Sequence, residues 1–257
     1  MNLKDKVVIV TGSSSVTGIG SVTAKLLAGR GCRVVVNYVT NQAGAEETVA
    51  ACVAAGGEAI AVQGNVAGDA DCKQLVAAAL ERWGRLDALI NNAATTKTIS
   101  HADLEALDAD EFQRVLSVNL VGTYQMTRAA APHLKASGDA SIVNISSTGA
   151  IGGAGSSIAY CASKGGLNTM TISFARILAP EIRVNTLCPG GVLGNAWTTK
   201  ILSAKALAER KREAETTYPL RRAVTPLDVA EAALWLTESA RSMTGEIIRM
   251  DSGRHLL

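Results

Sequence analysis

The sequence predicts a single α/β domain, a doubly wound parallel sheet of about seven strands with helices on both faces. Three observations carry this. Short β-branched runs alternate with helical patterns along the whole chain, and the first run turns into a helix through a glycine-rich loop. The 257 residues, 47% of them hydrophobic, suit one large core and are short for two, so residues 1–257 read as one domain.

The elements follow in order. Lys6 to Thr11 (KVVIVT) is bounded by Asp5 and Gly12 and fits a strand buried on both faces. The loop Gly12-Ser13-Ser14-Ser15-Val16-Thr17-Gly18-Ile19-Gly20 comes next, then a helix from about Gly20 to Gly31 with Ala24, Leu27 and Ala28 inward. Strand, glycine loop and helix in that order make a phosphate-binding turn. Glycine lets the backbone approach a pyrophosphate, and the helix N-terminus offers unpaired N–H groups at its positive dipole end. The alternation repeats with strand Arg33 to Asn37, a helix about Ala45 to Ala55 stopped by Gly56-Gly57, strand Ala59 to Gln63, a helix about Ala70 to Trp83 and strand Ala88 to Asn91. Asp108 and Glu111 are spaced as a capping box for one long helix reaching about Leu134, and the strand Ser141 to Ile145 follows. A helix from about Tyr160 to Leu178, strand Arg183 to Leu187, a helix capped by Thr225-Pro226-Leu227-Asp228 and ending near Leu236, and strand Glu246 to Met250 complete the pattern. Residues 191–224 interrupt it with a charged, alanine-rich helical stretch around Lys200 to Glu215, which is either a lid over a substrate or a solvated helix.

Composition narrows the function. A net charge of +2 with interspersed signs gives no field for nucleic acid or an anionic membrane. The start of the chain resembles no signal peptide and no apolar run is long enough to span a bilayer, so a cytoplasmic location is expected. Cys32, Cys52, Cys72, Cys161 and Cys188 form no CxxC pair and read as reduced core thiols, and the scattered His101, His133 and His255 suggest no metal site.

The chemistry-bearing stretch is Ser156 to Gly166, where Tyr160 and Lys164 stand one helical turn apart on a shared face. A cation beside a phenol favours the phenolate, so this spacing predicts a Tyr160 pKa drawn down toward neutrality. A solvated surface lysine beside an ordinary tyrosine gives the same spacing.

Taken together, Thr11-Gly12 to Gly18-Ile19-Gly20, Asn91-Asn92-Ala93-Ala94, Asn119 within Ser117-Val118-Asn119-Leu120, Asn144-Ile145-Ser146-Ser147, Tyr160 to Lys164, and Asn185 to Pro189-Gly190 resemble the short-chain dehydrogenase/reductase family over essentially the full length. The resemblance implies a Rossmann-type domain. It also implies hydride transfer between a nicotinamide and a carbonyl or secondary alcohol, on a small-molecule substrate and not on nucleic acid or a membrane. It implies Tyr160 as general acid or base, Lys164 lowering its pKa and bonding the nicotinamide ribose, Ser147 bonding the substrate oxygen, and Asn119 holding a water that relays protons to Lys164. The cofactor contacts it implies are Gly12, Ser14, Ser15, Gly18, Ile19, Gly20, Asn37, Tyr38, Asn65, Val66, Asn92, Ala93, Tyr160, Lys164, Pro189, Gly190 and Val192. A homotetramer or dimer packed through the Asn119 and Tyr160 helices is implied as well.

The chain departs from the family pattern in four places. Ser13 to Thr17 is longer than the usual spacing, which leaves open which of Ser14, Ser15 and Thr17 touch the cofactor. Ala94 stands for a glycine, Asn65-Val66 for a frequent Asp-Val, and Gly194 for a threonine that often bonds the cofactor, with Thr198 as a substitute. The second strand ends Val36-Asn37-Tyr38-Val39-Thr40-Asn41 without a carboxylate, which favours NADP(H), with NAD(H) as the alternative because no cation is present either. For substrate, the overall pattern looks most like the β-ketoacyl-carrier-protein reductases and glucose-type dehydrogenases. The small residues Gly149, Ala150, Gly152, Gly153, Ala154 and Gly155 predict a roomy or mobile pocket, and Arg210, Lys211, Arg212, Arg221 and Arg222 are either ordinary surface charges or a surface for an acidic carrier. A nucleotide-binding regulator or scaffold without turnover is the rival reading.

Overall fold

The computed structural model describes residues 1–257. Seven parallel strands form one sheet in the order β3-β2-β1-β4-β5-β6-β7: β1 (Val7–Val10), β2 (Arg33–Tyr38), β3 (Glu58–Gln63), β4 (Ala88–Asn91), β5 (Ala140–Ile145), β6 (Ile182–Pro189) and β7 (Ile247–Met250). The strand order reverses direction between β1 and β4, the switch point at which a doubly wound sheet opens a crevice at its carboxyl edge.

Alternation along the strands feeds two cores. Val8 and Val10 join Val34, Val36, Ile90 and Val143 on one face, under α1 (Ile19–Gly29), α2 (Gln42–Ala54) and α10 (Pro226–Glu238). Val7 and Ile9 join Val35, Leu89, Ile142 and Val184 on the other, under α3 (Asp69–Trp83), α5 (Thr123–Ser137) and α7 (Ile158–Leu178). Strands covered on both faces have to be apolar throughout, which is why β1, β4, β5 and β6 are buried at every position.

Some boundaries differ from the sequence expectations, each for a local reason. Asn41 starts α2 ahead of Ala45 by accepting from Gly44 N at 3.2 Å, and Ser157 starts α7 ahead of Tyr160 by accepting from Tyr160 N at 3.2 Å. The expected long helix after Asp108 divides into α4 (Ala109–Leu116), a π-helical stretch Ser117–Gly122 and α5. Asp108 caps α4 through Glu111 N, but Glu111 turns its carboxylate to Arg114, so the return half of the expected capping box is missing. The Thr225/Asp228 box is complete. The helical stretch of residues 191–224 is two helices, α8 (Ala196–Ile201) and α9 (Ala204–Thr216), separated where Ser203 caps the second. A short α6 (Gly149–Gly152) lies between β5 and α7.

Candidate active site

The loops after β1, β4, β5 and β6 and the N-terminal turns of α1 and α7 meet at the carboxyl edge. In α7, Lys164 is 2% exposed and donates to Ile145 O at 2.7 Å, while Ser146 Oγ donates to Lys164 O at 3.2 Å. Strand β5 and helix α7 are thereby locked at the turn that carries Tyr160. Ser147 lies close enough to the Tyr160 hydroxyl to draw its pKa down, and its Oγ accepts from Gly149 N at 3.0 Å. The structure therefore brings Ser147, Tyr160 and Lys164 together.

The electrostatics differ from the expectation for Tyr160. Its phenol is pushed up to about 12 by burial, with Ser147 pulling the other way. The ammonium of Lys164 lies 5.8 Å from the centroid of the Tyr160 ring and is committed to the Ile145 carbonyl, and burial brings its own pKa down to about 8. Helical spacing correctly puts the two side chains together but says nothing of the desolvation that dominates both.

Asn119 is fully buried in the π-helical stretch. Its Oδ1 accepts from Thr95 N at 2.8 Å, and its Nδ2 donates to Thr95 O and Ser163 Oγ, both at 3.0 Å. Ser163 in turn donates to Tyr160 O at 2.7 Å. Asn119 thus clamps the loop after β4 and reaches α7 through Ser163, where the expectation was a route to Lys164.

On the other side of the switch point, Gly12 takes a φ of 61° and packs so closely that a Cβ there would lie 2.8 Å from Ala93 Cα. Asn92 Nδ2 donates to the carbonyls of Thr11 and Gly12 at 2.9 and 2.8 Å, and Ala93 N donates to Thr11 Oγ1 at 3.0 Å. A Cβ on Gly20 would meet Asn92 Nδ2 at 2.6 Å. Ala94 is accommodated because its φ is not in the positive range that would demand glycine.

Several expected cofactor contacts turn out to shape the crevice. Asn37 is 1% exposed; its Oδ1 accepts from Gly12 N at 3.0 Å and its Nδ2 donates to Gly64 O at 2.9 Å, so its amide is spent tying together the ends of β1, β2 and β3. Tyr38 packs against the core beneath α1 and α2, and Val66 is buried against Gly122. Asn65 folds its Oδ1 back onto Ala67 N at 3.1 Å. Gly190 N donates to Met250 O at 2.7 Å, Pro189 O accepts from Thr148 N at 2.9 Å, and Val192 pairs with Val224 with its side chain in the core. Thr198 is buried with its hydroxyl on Asn195 O at 3.1 Å. In the lengthened loop, Ser14 O accepts from Asn41 Nδ2 at 2.8 Å and Gly18 N donates to Ser15 O at 2.6 Å. Asn41 and Ser157 are further site-shaping residues, and their signal was available as polar residues at helix-start spacing. Thr95 and Ser163 left no such signal, because their partners are remote in sequence. Four of the cysteines are buried free thiols; Cys161 is half-buried, with Sγ against the Gly149 and Gly155 backbone at the pocket wall.

A dinucleotide fits this edge. Gly18 starts α1 with no side-chain cap and no acidic residue in the first turn. By contrast, α2, α4, α7, α8, α9 and α10 begin with capping side chains, and α3 has Asp69 and Asp71. The first N–H groups of α1 therefore face the crevice without a competing carboxylate, as a pyrophosphate requires. No three His, Cys, Asp or Glu side chains gather as a metal-binding group, and no helix is long and apolar enough to cross a membrane.

Fold and loop define a nucleotide-binding protein of the doubly wound α/β class. A sequence profile described as enoyl-(acyl carrier protein) reductase matches residues 12–255. The protein named ketoacyl reductase 2 of the granaticin polyketide synthase, from Streptomyces violaceoruber, is 43% identical over 98% of this chain and 96% of its own. A 3-oxoacyl-[acyl-carrier-protein] reductase from Synechocystis is 33% identical over 98% of this chain and 97% of its own. A crystal structure of a short-chain dehydrogenase/reductase from Burkholderia xenovorans superposes with a TM-score of 0.90 at 41% identity, covering 98% of this chain and 99% of that one. The chain belongs to the short-chain dehydrogenase/reductase family and is an oxidoreductase of C=O and CH–OH groups, in a family that uses NAD(P)(H).

Proposed function

We propose that the protein is a carbonyl reductase that uses Tyr160 to deliver a proton to the substrate oxygen, working on a 3-oxoacyl or related small carbonyl compound. The observation that carries this is the Ser147–Tyr160 hydroxyl pair set beside the buried Lys164. Bound nicotinamide would supply the hydride, held by the α1 N-terminus, the Gly12–Gly20 loop and the Asn92-Ala93 turn. Ser147 orients the substrate oxygen and donates to the charge that grows there. Tyr160 keeps its proton at neutral pH because burial raises its pKa, which suits the acid in the reductive direction. Lys164 fixes the position of the ring and offers an ammonium to the ribose side, and Asn119 positions the loop after β4 through Thr95.

Relatives named as ketoacyl and 3-oxoacyl reductases support the substrate class. A Bacillus subtilis relative named glucose 1-dehydrogenase 2, 33% identical over 99% of this chain and 96% of its own, keeps a sugar alcohol as the second reading. A carbonyl and alcohol panel followed at the NADPH absorbance tests it: Tyr160→Phe should retain NADPH binding and lose ~100-fold or more in turnover. A wild-type protein that binds NADPH tightly and turns over nothing in the panel would instead be a nucleotide-binding regulator.

NADPH is the proposed coenzyme, since no carboxylate follows β2 to repel a 2′-phosphate. The hydroxyls of Ser14, Ser15 and Thr40 replace the buried Asn37 as its neighbours in this reading. A lower Michaelis constant for NADH than for NADPH would refute it. Assembly as a dimer or tetramer through the α5 and α7 side completes the proposal, with Leu120, Val121, Tyr124 and Met170 lining an open apolar face there.

A further inference from the structure

The loop after β1 turns Thr17 toward α8, in the helical segment 191–224 taken as a lid over the substrate. Thr17 Oγ1 accepts from Ala196 N at 3.1 Å, joining positions 179 residues apart. Ala196 is the first residue of α8, and a helix cannot satisfy its own first N–H groups. The N-cap Asn195 serves Thr198 N at 2.9 Å and anchors itself to Val192 O at 2.8 Å, so Ala196 N depends on Thr17. The loop is braced to present this hydroxyl: Lys25 Nζ holds Val16 O at 3.3 Å, and Gly18 N closes on Ser15 O. Elsewhere the segment 191–224 is held through α9, where Glu213 pairs with Arg254 at 3.6 Å, and near its end, where Leu220 N donates to Ser252 O at 3.2 Å.

We infer that Thr17 is a positioning residue whose hydroxyl latches the N-terminus of α8 to the phosphate-binding loop, so that the lid and the cofactor site act as one unit. The inference rests on the dinucleotide reading of that loop. A threonine hydroxyl accepts and donates at once, and Thr17 spends only its acceptor on Ala196. An anionic group seated on the loop therefore stiffens the same side chain that holds the lid.

Amide exchange of residues 196–201 and the rate of tryptic cleavage after Lys200 test this, on wild type, Thr17→Val and Thr17→Ser, with and without NADPH. Thr17 is exposed, and valine keeps its size while removing the acceptor. In Thr17→Val, α8 should exchange and be cut about five-fold faster, the factor for one hydrogen bond of ordinary net strength. The protection NADPH gives to α8 should fall with it, and Thr17→Ser should behave as wild type. Unchanged α8 exchange in Thr17→Val would overturn the latch, and wild-type α8 without any NADPH protection would overturn its coupling to the cofactor site. Neither exchange readout needs turnover, so an enzyme that reduces nothing would sink the proposed function and leave the latch standing.

Discussion

Lys164 is costly where it stands. Its folded pKa of about 8 lies below the ordinary value of 10.5, so burial of the charged form destabilises the protein at neutral pH. Between those two values the unfolded chain binds the proton more strongly, and stability gained from this residue rises as pH rises through the window. A shift of that size is worth about 3 kcal/mol. Lys164→Met should therefore lose turnover yet unfold at equal or higher urea concentration at pH 7, and the stability of wild type relative to the variant should climb between pH 8 and pH 10. A constant difference across that range would show that Lys164 stays charged. Tyr160 gives the complementary kinetic expectation. With its phenol protonated at neutral pH, carbonyl reduction should hardly change between pH 6 and 8, whereas alcohol oxidation should accelerate with pH as the phenolate becomes available. An oxidation rate that falls from pH 7 to 9 would remove Tyr160 from the base role.

Helix α7 must be held to the sheet for Tyr160 to keep its place, and one element-scale feature does this beyond Lys164. Asn91, Asn144 and Thr186 lie level on β4, β5 and β6. Asn91 Nδ2 donates to Asn144 Oδ1 at 2.9 Å, Asn144 Nδ2 donates to Thr171 Oγ1 at 2.9 Å, and Thr171 shares a 2.6 Å hydrogen bond with Thr186. All four are buried, so each bond removed leaves a polar group stranded away from water. Thr171→Val should cost about 2 kcal/mol in urea unfolding and lower kcat more than the cofactor Kd, because it loosens α7 and leaves the α1 loop alone. A loss below ~0.5 kcal/mol would mean the ladder is replaceable. Within the sequence these residues read as strand and helix positions; their pairing depends on register, which no single strand encodes.

At the scale of the molecule, the open face made by Leu120, Val121, Tyr124 and Met170 is where assembly would bury apolar surface, with Val121 and Tyr124 each 44% exposed. Light scattering of the wild type should return a dimer or tetramer, and Val121→Glu should shift it toward the monomer; a monomeric wild type would exclude this use of the face. The alternation of apolar runs with helical patterns was enough to read seven strands, two helical layers and the glycine turn, since a strand covered on both sides must be apolar and a phosphate turn must be small. That Tyr160 and Lys164 lie together was legible from helical spacing, and that Ser147 lies beside them from the family resemblance. What only tertiary structure decided depends on remote neighbours. Burial raises the Tyr160 pKa where spacing alone suggested lowering, Asn37 is consumed by the ends of β1 and β3, the π-helical stretch turns Asn119 onto Thr95, and the loop after β1 carries Thr17 to the N-terminus of α8. Local pattern fixes which elements form, because propensity and periodicity act over a few residues; desolvation and hydrogen-bond partnership arise between elements, and only the packed molecule assigns them.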